Sequence, residues 1–477
     1  MVHRLFFAWT WVMSSLFSLA QTNKLPAEKV DSLFSRYDSN TPGVAVGILK
    51  NGEFIFQKGY GVSNLEYSTP ISEKTVFHIA SVSKQFTAFA IYLLAAEDHL
   101  SLEDDVRKYL PELPQYENPI KIEHLLAHTS GLREQFALLT LAGWDMTDRI
   151  TKDHILKLLF SQRQLNFQPG SQLGYCNSGY LLLAEIIERI TGMTFRAFCA
   201  KKIFEPLEMT NTQFYDDAKM VVKNRAYSYE LENGAYVKKK LNYSFAGPTS
   251  LFTNVEDLGK WANNFQSPIV GSEDLIKKFN EVSELNSGEL AIWRIIEGDT
   301  LHHAKGQFLR NYRGLNVFKH GGHDAGYRTF LARFPEEGLT IITLSNDEHY
   351  EIFARGMEIA TFYLQDQFEE EVSSLARAHE VVDQPKTYLT EELDQYIGSY
   401  SSDELDTRYH IVKKENTLII QHQRLDDIVL NPTEVDTFSG VNHYWAFTLK
   451  FLRMDGKISG FEISNFGVKN LQFKRER

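Results

Sequence analysis

Ser81-Val82-Ser83-Lys84 places a hydroxyl and an amine three residues apart, just before the apolar run Phe86, Ala88, Phe89, Ala90, Tyr92, Leu93, Leu94 and Ala95. One helical turn would bring Ser81 and Lys84 onto the same face. Because the run is apolar nearly all round, the helix is expected to be buried, with only its first turn at a cleft. Burial disfavours a charged lysine and frees its amine as a base, while the helix N-terminus stabilises negative charge beside Ser81. Under those conditions a weak nucleophile becomes an activated one. The same spacing also suits a capping serine and a lysine that snorkels to water, so the pair takes its meaning from the rest of the chain.

Two other segments carry matching chemistry. Tyr175-Cys176-Asn177 follows the turn-rich Gln168-Pro169-Gly170-Ser171 and precedes the run Tyr180, Leu181, Leu182, Leu183, Ile186, Ile187, which places it on a loop entering a helix. Its phenol could share the proton of Ser81 with Lys84, and its amide could hold a substrate carbonyl. His320-Gly321-Gly322 precedes Tyr327, Thr329, Leu331 and Arg333-Phe334, which alternate as a strand does. Glycines there would let a substrate approach the strand backbone.

In this order and with these flanks, the three segments resemble the serine hydrolases that include class C β-lactamases, DD-carboxypeptidases and related esterases. Phe77-His78-Ile79-Ala80, the stretch Ile122-Glu123-His124-Leu125-Leu126-Ala127-His128-Thr129-Ser130-Gly131-Leu132 and Ile203-Phe204-Glu205-Pro206-Leu207-Glu208-Met209 add to the match, which covers residues 27–365. The resemblance implies that Ser81 accepts the acyl group and that Lys84 with Tyr175 handles its proton. It also implies that Asn177 orients substrate, and that the backbone N–H groups of Ser81 and His323 form the oxyanion hole. His320, Gly322 and His323 thus join Asn177 as substrate-binding candidates. Which of Lys84 and Tyr175 is the base stays open. Class C β-lactamases carry Lys-Thr-Gly where this chain has His320-Gly321-Gly322, so a permanent cation and a hydroxyl are lost. Histidine is mostly neutral at pH 7 but can still donate a hydrogen bond to an ester or carboxylate. The departure favours ester or D-amino-acid peptide substrates, with weak or no β-lactamase activity.

Composition narrows the partners. With 477 residues and 43% hydrophobic content the chain has room for two or three domains, and its net charge of −12 offers no basic footprint for nucleic acid. Arg4, the apolar stretch Leu5 to Ala20 and the small residues Ser18-Leu19-Ala20 before Gln21 read as a signal peptide, which implies a periplasmic or secreted protein with no stable membrane span after cleavage. Cys176 and Cys199 are the only cysteines, too few for a disulfide scaffold, and are expected to be buried free thiols. His124 and His128 lie four apart, but His124 is not followed by glutamate. That spacing occurs in some metal pairs but lacks the glutamate of H-E-x-x-H, and His302-His303 and His320/His323 have no cysteine or carboxylate ligands at a recognisable spacing, so no metal and no other cofactor is expected.

The elements that must position these residues follow from the pattern. Leu25 to Ser35 reads as an amphipathic helix, and Asn51-Gly52 between Val44–Leu49 and Phe54–Phe56 as a hairpin. A helix-rich lobe spans Ser101 to Leu251. Strands are expected at Val317-Phe318, Thr329–Phe334 and Leu339–Leu344, with a closing helix from Tyr350 to Leu364. This is an α+β fold, a β-lactamase-like sheet flanked by helices. Residues 366–387 read as a charged connector. Beyond it, Tyr396–Tyr400, Tyr409–Val412, Leu418–Gln421, Trp445–Phe451, Ile458–Ile463 and Leu471–Lys474 look like short strands of a small all-β domain. The rhythm and Tyr396-Ile397-Gly398-Ser399-Tyr400 resemble the lipocalin-like domain appended to some relatives. The expected division is a signal peptide at 1–20, a hydrolase domain at 21–365, a linker at 366–387 and a β-domain at 388–477. Two functions fit: a secreted serine hydrolase acting on a small ester, peptide or peptidoglycan-derived substrate, or a catalytically silent module that binds peptidoglycan fragments or a protein partner.

Overall fold

The computed structural model describes residues 25–296, 299–369 and 393–476. The expected signal peptide and most of the expected connector lie outside them. The central element is an eight-stranded antiparallel sheet. Its strands are β1 (Val44–Lys50), β2 (Glu53–Tyr60), β3 (Ile292–Ile296), β4 (Asp299–Ala304), β5 (Gln307–Tyr312), β6 (Leu315–Asp324), β7 (Tyr327–Phe334) and β8 (Leu339–Ser345). They lie in the order β3-β4-β5-β6-β7-β8-β1-β2. The Asn51-Gly52 hairpin is present, with φ of 50° and 83° at its two residues, and pairs Lys50 with Glu53. Positive φ at both central positions matches the turn to the twist of the strands it joins.

Helices cover both faces of the sheet. On one side lie α1 (residues 25–33) and α7 (Ile352–Leu364). On the other lie α2 (Ser83–Ala96), α3 (Gln135–Leu141), α4 (Lys152–Phe160), α5 (Asn177–Thr191) and α6 (Val255–Asn263). The strands sort their side chains with period two. Val44, Val46 and Ile48 of β1 pack with Val30, Phe34, Ile359 and Ala360, while Ala45 and Leu49 pack with Phe86 and Leu258. Each aliphatic side chain fully buried this way contributes about 1.5–3 kcal/mol. Burial on both faces explains why β1 and β8 are nearly continuous apolar runs although the sheet is antiparallel. Strands β3 to β5 extend the sheet beyond the expected ones. Their sequence mixes Arg294, His302, His303 and Arg310 into the pattern and hides the alternation.

The C-terminal part closes into an eight-stranded up-and-down barrel of β9 (Gly398–Ser402), β10 (Thr407–Lys414), β11 (Thr417–Gln421), β12 (Ile428–Glu434), β13 (Thr437–Val441), β14 (Ala446–Met454), β15 (Lys457–Ser464) and β16 (Leu471–Arg475). Six of these correspond to expected strands, and β12 and β13 were not foreseen. Pro432 within β12 explains part of that, since proline argues against a strand; here it sits at a register shift between Pro432 and Glu434. Tyr400, Phe451, Phe461 and Phe473 fill the interior, with Phe461 and Phe473 stacked 4.7 Å apart. The barrel is a packed core rather than a container.

Gly47 shows how tightly α6 lies on the sheet, because a Cβ there would fall 2.3 Å from Val255 Cγ1. Gly47→Val is therefore expected to destabilise the protein by about 1–3 kcal/mol through overpacking. Denaturant titration of the purified chain checks this, and an unchanged midpoint would contradict the packing of α6 on β1.

Candidate active site

Ser81 sits in a 3-10 turn, Ala80–Val82, that leads into α2. Every residue of α2 from Ser83 to Leu94 is buried, as the apolar run requires, and Lys84 is 0% exposed. The turn before Ser81 is strained: Ala80 has φ of 48°, a region that residues with a side chain seldom occupy. Strand β6 presses on it from the other side of the cleft. A Cβ on Gly322 would lie 2.4 Å from the Ile79 carbonyl oxygen and 3.0 Å from Ala80 Cβ. Glycine at 322 is thus needed for close approach of strand and turn.

Lys84 Nζ lies 3.1 Å from Ser81 Oγ, 2.7 Å from Asn177 Oδ1 and 2.8 Å from the Pro248 carbonyl oxygen. Desolvation lowers its pKa to about 7, against the opposing pull of Glu134 and Asp324. That shift corresponds to roughly 5 kcal/mol in favour of the uncharged amine relative to a lysine in water. A neutral amine has two hydrogens and one lone pair. The carbonyls of Asn177 and Pro248 can only accept, so they take both hydrogens and leave the lone pair for the hydroxyl of Ser81.

The Tyr175 phenol lies beside Ser81, and Lys84 Nζ lies 4.9 Å from its ring centre. Burial pushes the phenol well above the ordinary tyrosine range, so it is a protonated donor at neutral pH. His128 stacks 4.3 Å from the same ring and accepts the Cys176 N–H at 3.1 Å. That accounts for His128 as a loop support. Among the described residues no group of three or more His, Cys, Asp or Glu side chains could hold a metal. Cys176 and Cys199 are buried free thiols.

The third segment divides. His320 is buried, 6.4 Å from the Tyr175 ring centre, and burial pushes its pKa down to about 3. Its Nδ1 lies 2.7 Å from the Gly321 carbonyl oxygen, which can only accept, so the ring's single N–H is spent there. A neutral His320 therefore has no donor left for a substrate, contrary to the donor role expected from the sequence. The His323 ring lies 6.2 Å from Phe353 of α7, so its main chain rather than its imidazole is what β6 could offer at the cleft. Beside the end of β6 opens a cavity of about 670 Å³ lined by His323, Asp324 and Tyr243 and, from the barrel, His443, Tyr444 and Trp445.

Sequence reasoning missed three groups. The Pro248 carbonyl has no side-chain signature. Asp324 accepts from Thr249 Oγ1 at 2.8 Å, and burial raises its pKa to about 6. Glu134 accepts from Asn177 Nδ2 at 2.8 Å. Its only sequence signal is its place two residues after the Ile122–Leu132 segment.

A two-faced helix–sheet–helix fold with a serine and a buried lysine of lowered pKa at the head of an inner helix defines a penicillin-binding-type serine hydrolase fold. The chain belongs to the beta-lactamase family, whose model matches residues 30–362. Protein flp of Staphylococcus aureus (strain MRSA252) is 29% identical over 64% of this chain, which spans only 59% of that protein's length. Penicillin-binding protein 4* of Bacillus subtilis (strain 168) is 28% identical over 63% of this chain and 67% of its own. Among solved structures, the octameric penicillin-binding protein homologue from Pyrococcus abyssi superposes with a TM-score of 0.63 at 21% identity, covering 94% of this chain and 99% of that one.

An amine can take a proton only when it carries none. With Lys84 titrating at about 7, acylation of Ser81 by a short-chain ester is expected to be slow at pH 5 and to rise through about pH 7. Lys84→Arg, which cannot shed its charge, should lower the rate by about 100-fold or more. Stopped-flow acylation from pH 5 to 9 measures both, and a flat profile would exclude Lys84 as the base.

Proposed function

We propose that this protein is a secreted serine hydrolase that works through an acyl-enzyme on Ser81. The observation that carries the reading is the buried Lys84 amine, 3.1 Å from Ser81 Oγ and within 2.8 Å of two acceptor-only oxygens, with a pKa that desolvation lowers to about 7. Ser81 Oγ attacks the substrate carbonyl carbon as its proton passes to Lys84 Nζ. The carbonyl oxygen, now negative, is held by the backbone N–H groups of Ser81 and His323. The C–O or C–N bond then breaks. The leaving group departs with the proton, delivered from Lys84 by way of the Tyr175 phenol. Water repeats the sequence in reverse roles, giving its proton to the amine and releasing the acid. Of the two proton-handling groups, Lys84 is the base, because burial keeps the Tyr175 phenol protonated while it lowers the lysine pKa to about 7 and so makes the free amine available. Asn177 serves through Lys84 as well as through any substrate contact.

The substrate class follows from charge. A β-lactam antibiotic presents a carboxylate, and at the third segment a neutral His320 supplies neither a cation nor a free N–H. Small esters, and D-amino-acid amides or peptides cleaved at their amino-terminal residue, carry no carboxylate beside the scissile bond and make no such demand, whereas a peptide cleaved before its C-terminal residue does. Retention of the whole Ser81, Lys84, Tyr175 and Asn177 set favours turnover over silent binding. Secretion rests on the leader pattern of residues 1–20. Among the described residues no helix is long and apolar enough to cross a membrane.

Intact-protein mass spectrometry after exposure to a fluorophosphonate, a penicillin, a short-chain ester and a D-alanyl peptide tests nucleophile and substrate together. Ser81→Ala is expected to lose all labelling and turnover while melting as the parent does. Losing a hydrogen bond to a charged group costs about 1.5–3 kcal/mol, so kcat/KM for a cephalosporin should fall roughly 10- to 150-fold below that for the best ester or peptide. Turnover in Ser81→Ala would sink the mechanism. Cephalosporin turnover above every ester and peptide would sink the substrate assignment.

A further inference from the structure

The lone pair of Lys84 faces Ser81 only while its two hydrogens are held elsewhere, and one of their acceptors is reversible. Asn177 carries an oxygen and an NH2 group at the tip of one amide, of nearly equal size and opposite chemistry. Turned over, it would present N–H groups to the lysine, and the amine would have to redirect a hydrogen toward Ser81. What decides the orientation lies on the other side of the amide. Glu134 accepts from Asn177 Nδ2 at 2.8 Å with one carboxylate oxygen and from the Ala137 N–H at 2.9 Å with the other. An ionised carboxylate only accepts, so Asn177 can seat there in one way, with its oxygen toward Lys84.

Glu134 is in turn held by the C-terminal barrel. Its own N–H donates to the Gly467 carbonyl oxygen at 2.8 Å, in the turn between β15 and β16. The neighbouring Arg133 has a fully buried side chain that donates to Glu404 at 2.8 Å and to the Lys469 carbonyl at 3.0 Å. From the catalytic side, Ser178 Oγ donates to the Arg133 carbonyl at 2.7 Å and the Cys176 thiol to the Leu132 carbonyl at 3.3 Å. Residues 132–134 are thus clamped between the Tyr175-Cys176-Asn177 loop and the barrel. The clamp is tight: a Cβ on Gly467 would fall 2.5 Å from Glu134 Cβ.

We propose that Glu134 is a positioning residue for the proton transfer, orienting Asn177 and through it the Lys84 lone pair, and that the barrel turn at Gly467 keeps Glu134 in place. The barrel is then part of the catalytic apparatus although it contributes no side chain to Ser81. The proposal rests on the Ser81–Lys84 reading above.

The test uses the full chain and two measurements, the rate of Ser81 labelling by a fluorophosphonate and the pH dependence of hydrolysis of a short-chain ester. The groups that face Lys84 are the carboxylates Glu134 and Asp324, which hold its pKa up; Ser81, Tyr175 and the uncharged Cys176 thiol; and the buried imidazoles His128, His303 and His320, kept neutral by desolvation. Removing the Glu134 charge weakens the opposition to desolvation, so Lys84 should titrate lower. Glu134→Gln keeps an oxygen for Asn177 and should retain most of the rate at pH 9 while its acid limb moves to lower pH. Glu134→Ala leaves Asn177 free to turn, and kcat should fall about 10-fold or more with KM little changed. Gly467→Ala drives a methyl group against Glu134 from the barrel and should lower kcat in the same sense without touching any residue at Ser81.

A Glu134→Ala or Glu134→Gln protein that melts as the parent does, with parental kcat and an unmoved acid limb, would overturn the role of Glu134. If Glu134→Ala does not fold, Glu134→Gln decides alone through its acid limb. Parental kcat in Gly467→Ala alongside a defect in the Glu134 variants would overturn the part assigned to the barrel. Failure of the underlying reading is distinct: the parent itself would then show no label that Ser81→Ala abolishes, and both conclusions would fall together.

Discussion

Holding a lysine amine dry beside a serine is the constraint on which the rest of this structure depends. A lysine in water is protonated at neutral pH, and an ammonium group cannot accept the proton of Ser81. Full enclosure of Lys84 by α2, α5 and the loop before Thr249 brings its pKa down to about 7, so that the neutral form is available near neutral pH. Enclosure alone would strand the amine's hydrogens, so two acceptor-only oxygens are placed to receive them. The carboxylates of Glu134 and Asp324 then hold the pKa near 7 rather than letting desolvation drive it further down.

The sheet serves that arrangement from the opposite side. Helix α7 packs on β7 and β8 and helix α6 on β8 and β1, and β6, paired along β7, is held where it passes the strained turn at Ala80. A chain segment kept at positive φ without a glycine persists only when its surroundings over-determine it. Gly322 against the Ile79 carbonyl, and the Ile79 N–H donating to the Leu251 carbonyl at 2.9 Å, do so here. The cleft thus has one wall from an inner helix and one from the sheet, joined at a contact that admits no side chain.

The barrel adds a third body whose interior is too full of aromatic rings to hold a ligand. Its consequence lies outside, where Glu404, Gly467 and Lys469 grip Arg133 and Glu134, and where His443, Tyr444 and Trp445 border the cavity beside Asp324. Burying Arg133 with no exposed side-chain surface is costly unless it is paired, and its pairing with Glu404 ties the two bodies in a single register.

The sequence by itself determined the family, the candidate site residues and most of the local structure. Ser81, Lys84, Tyr175 and Asn177 were legible as candidates because their segments, with the flanking turns and apolar runs, carry a family resemblance along the chain; the Asn51-Gly52 hairpin, helix α2, the alternation of β7 and the apolar run of β8 were legible because they are local properties. The α+β class and a C-terminal all-β part were legible for the same reason. Strands β3 to β5, with charged residues and histidines in their pattern, and β12, interrupted by Pro432, were not, because their burial comes from partners far along the chain. Only the tertiary structure decided that the His320 N–H is spent on Gly321, that the Pro248 carbonyl and Asn177 saturate the Lys84 amine, and that Glu134 meets the barrel at Gly467. Each of these is a contact whose strength depends on direction and distance between atoms remote in sequence. No pattern along one strand of text encodes the angle at which two such groups meet.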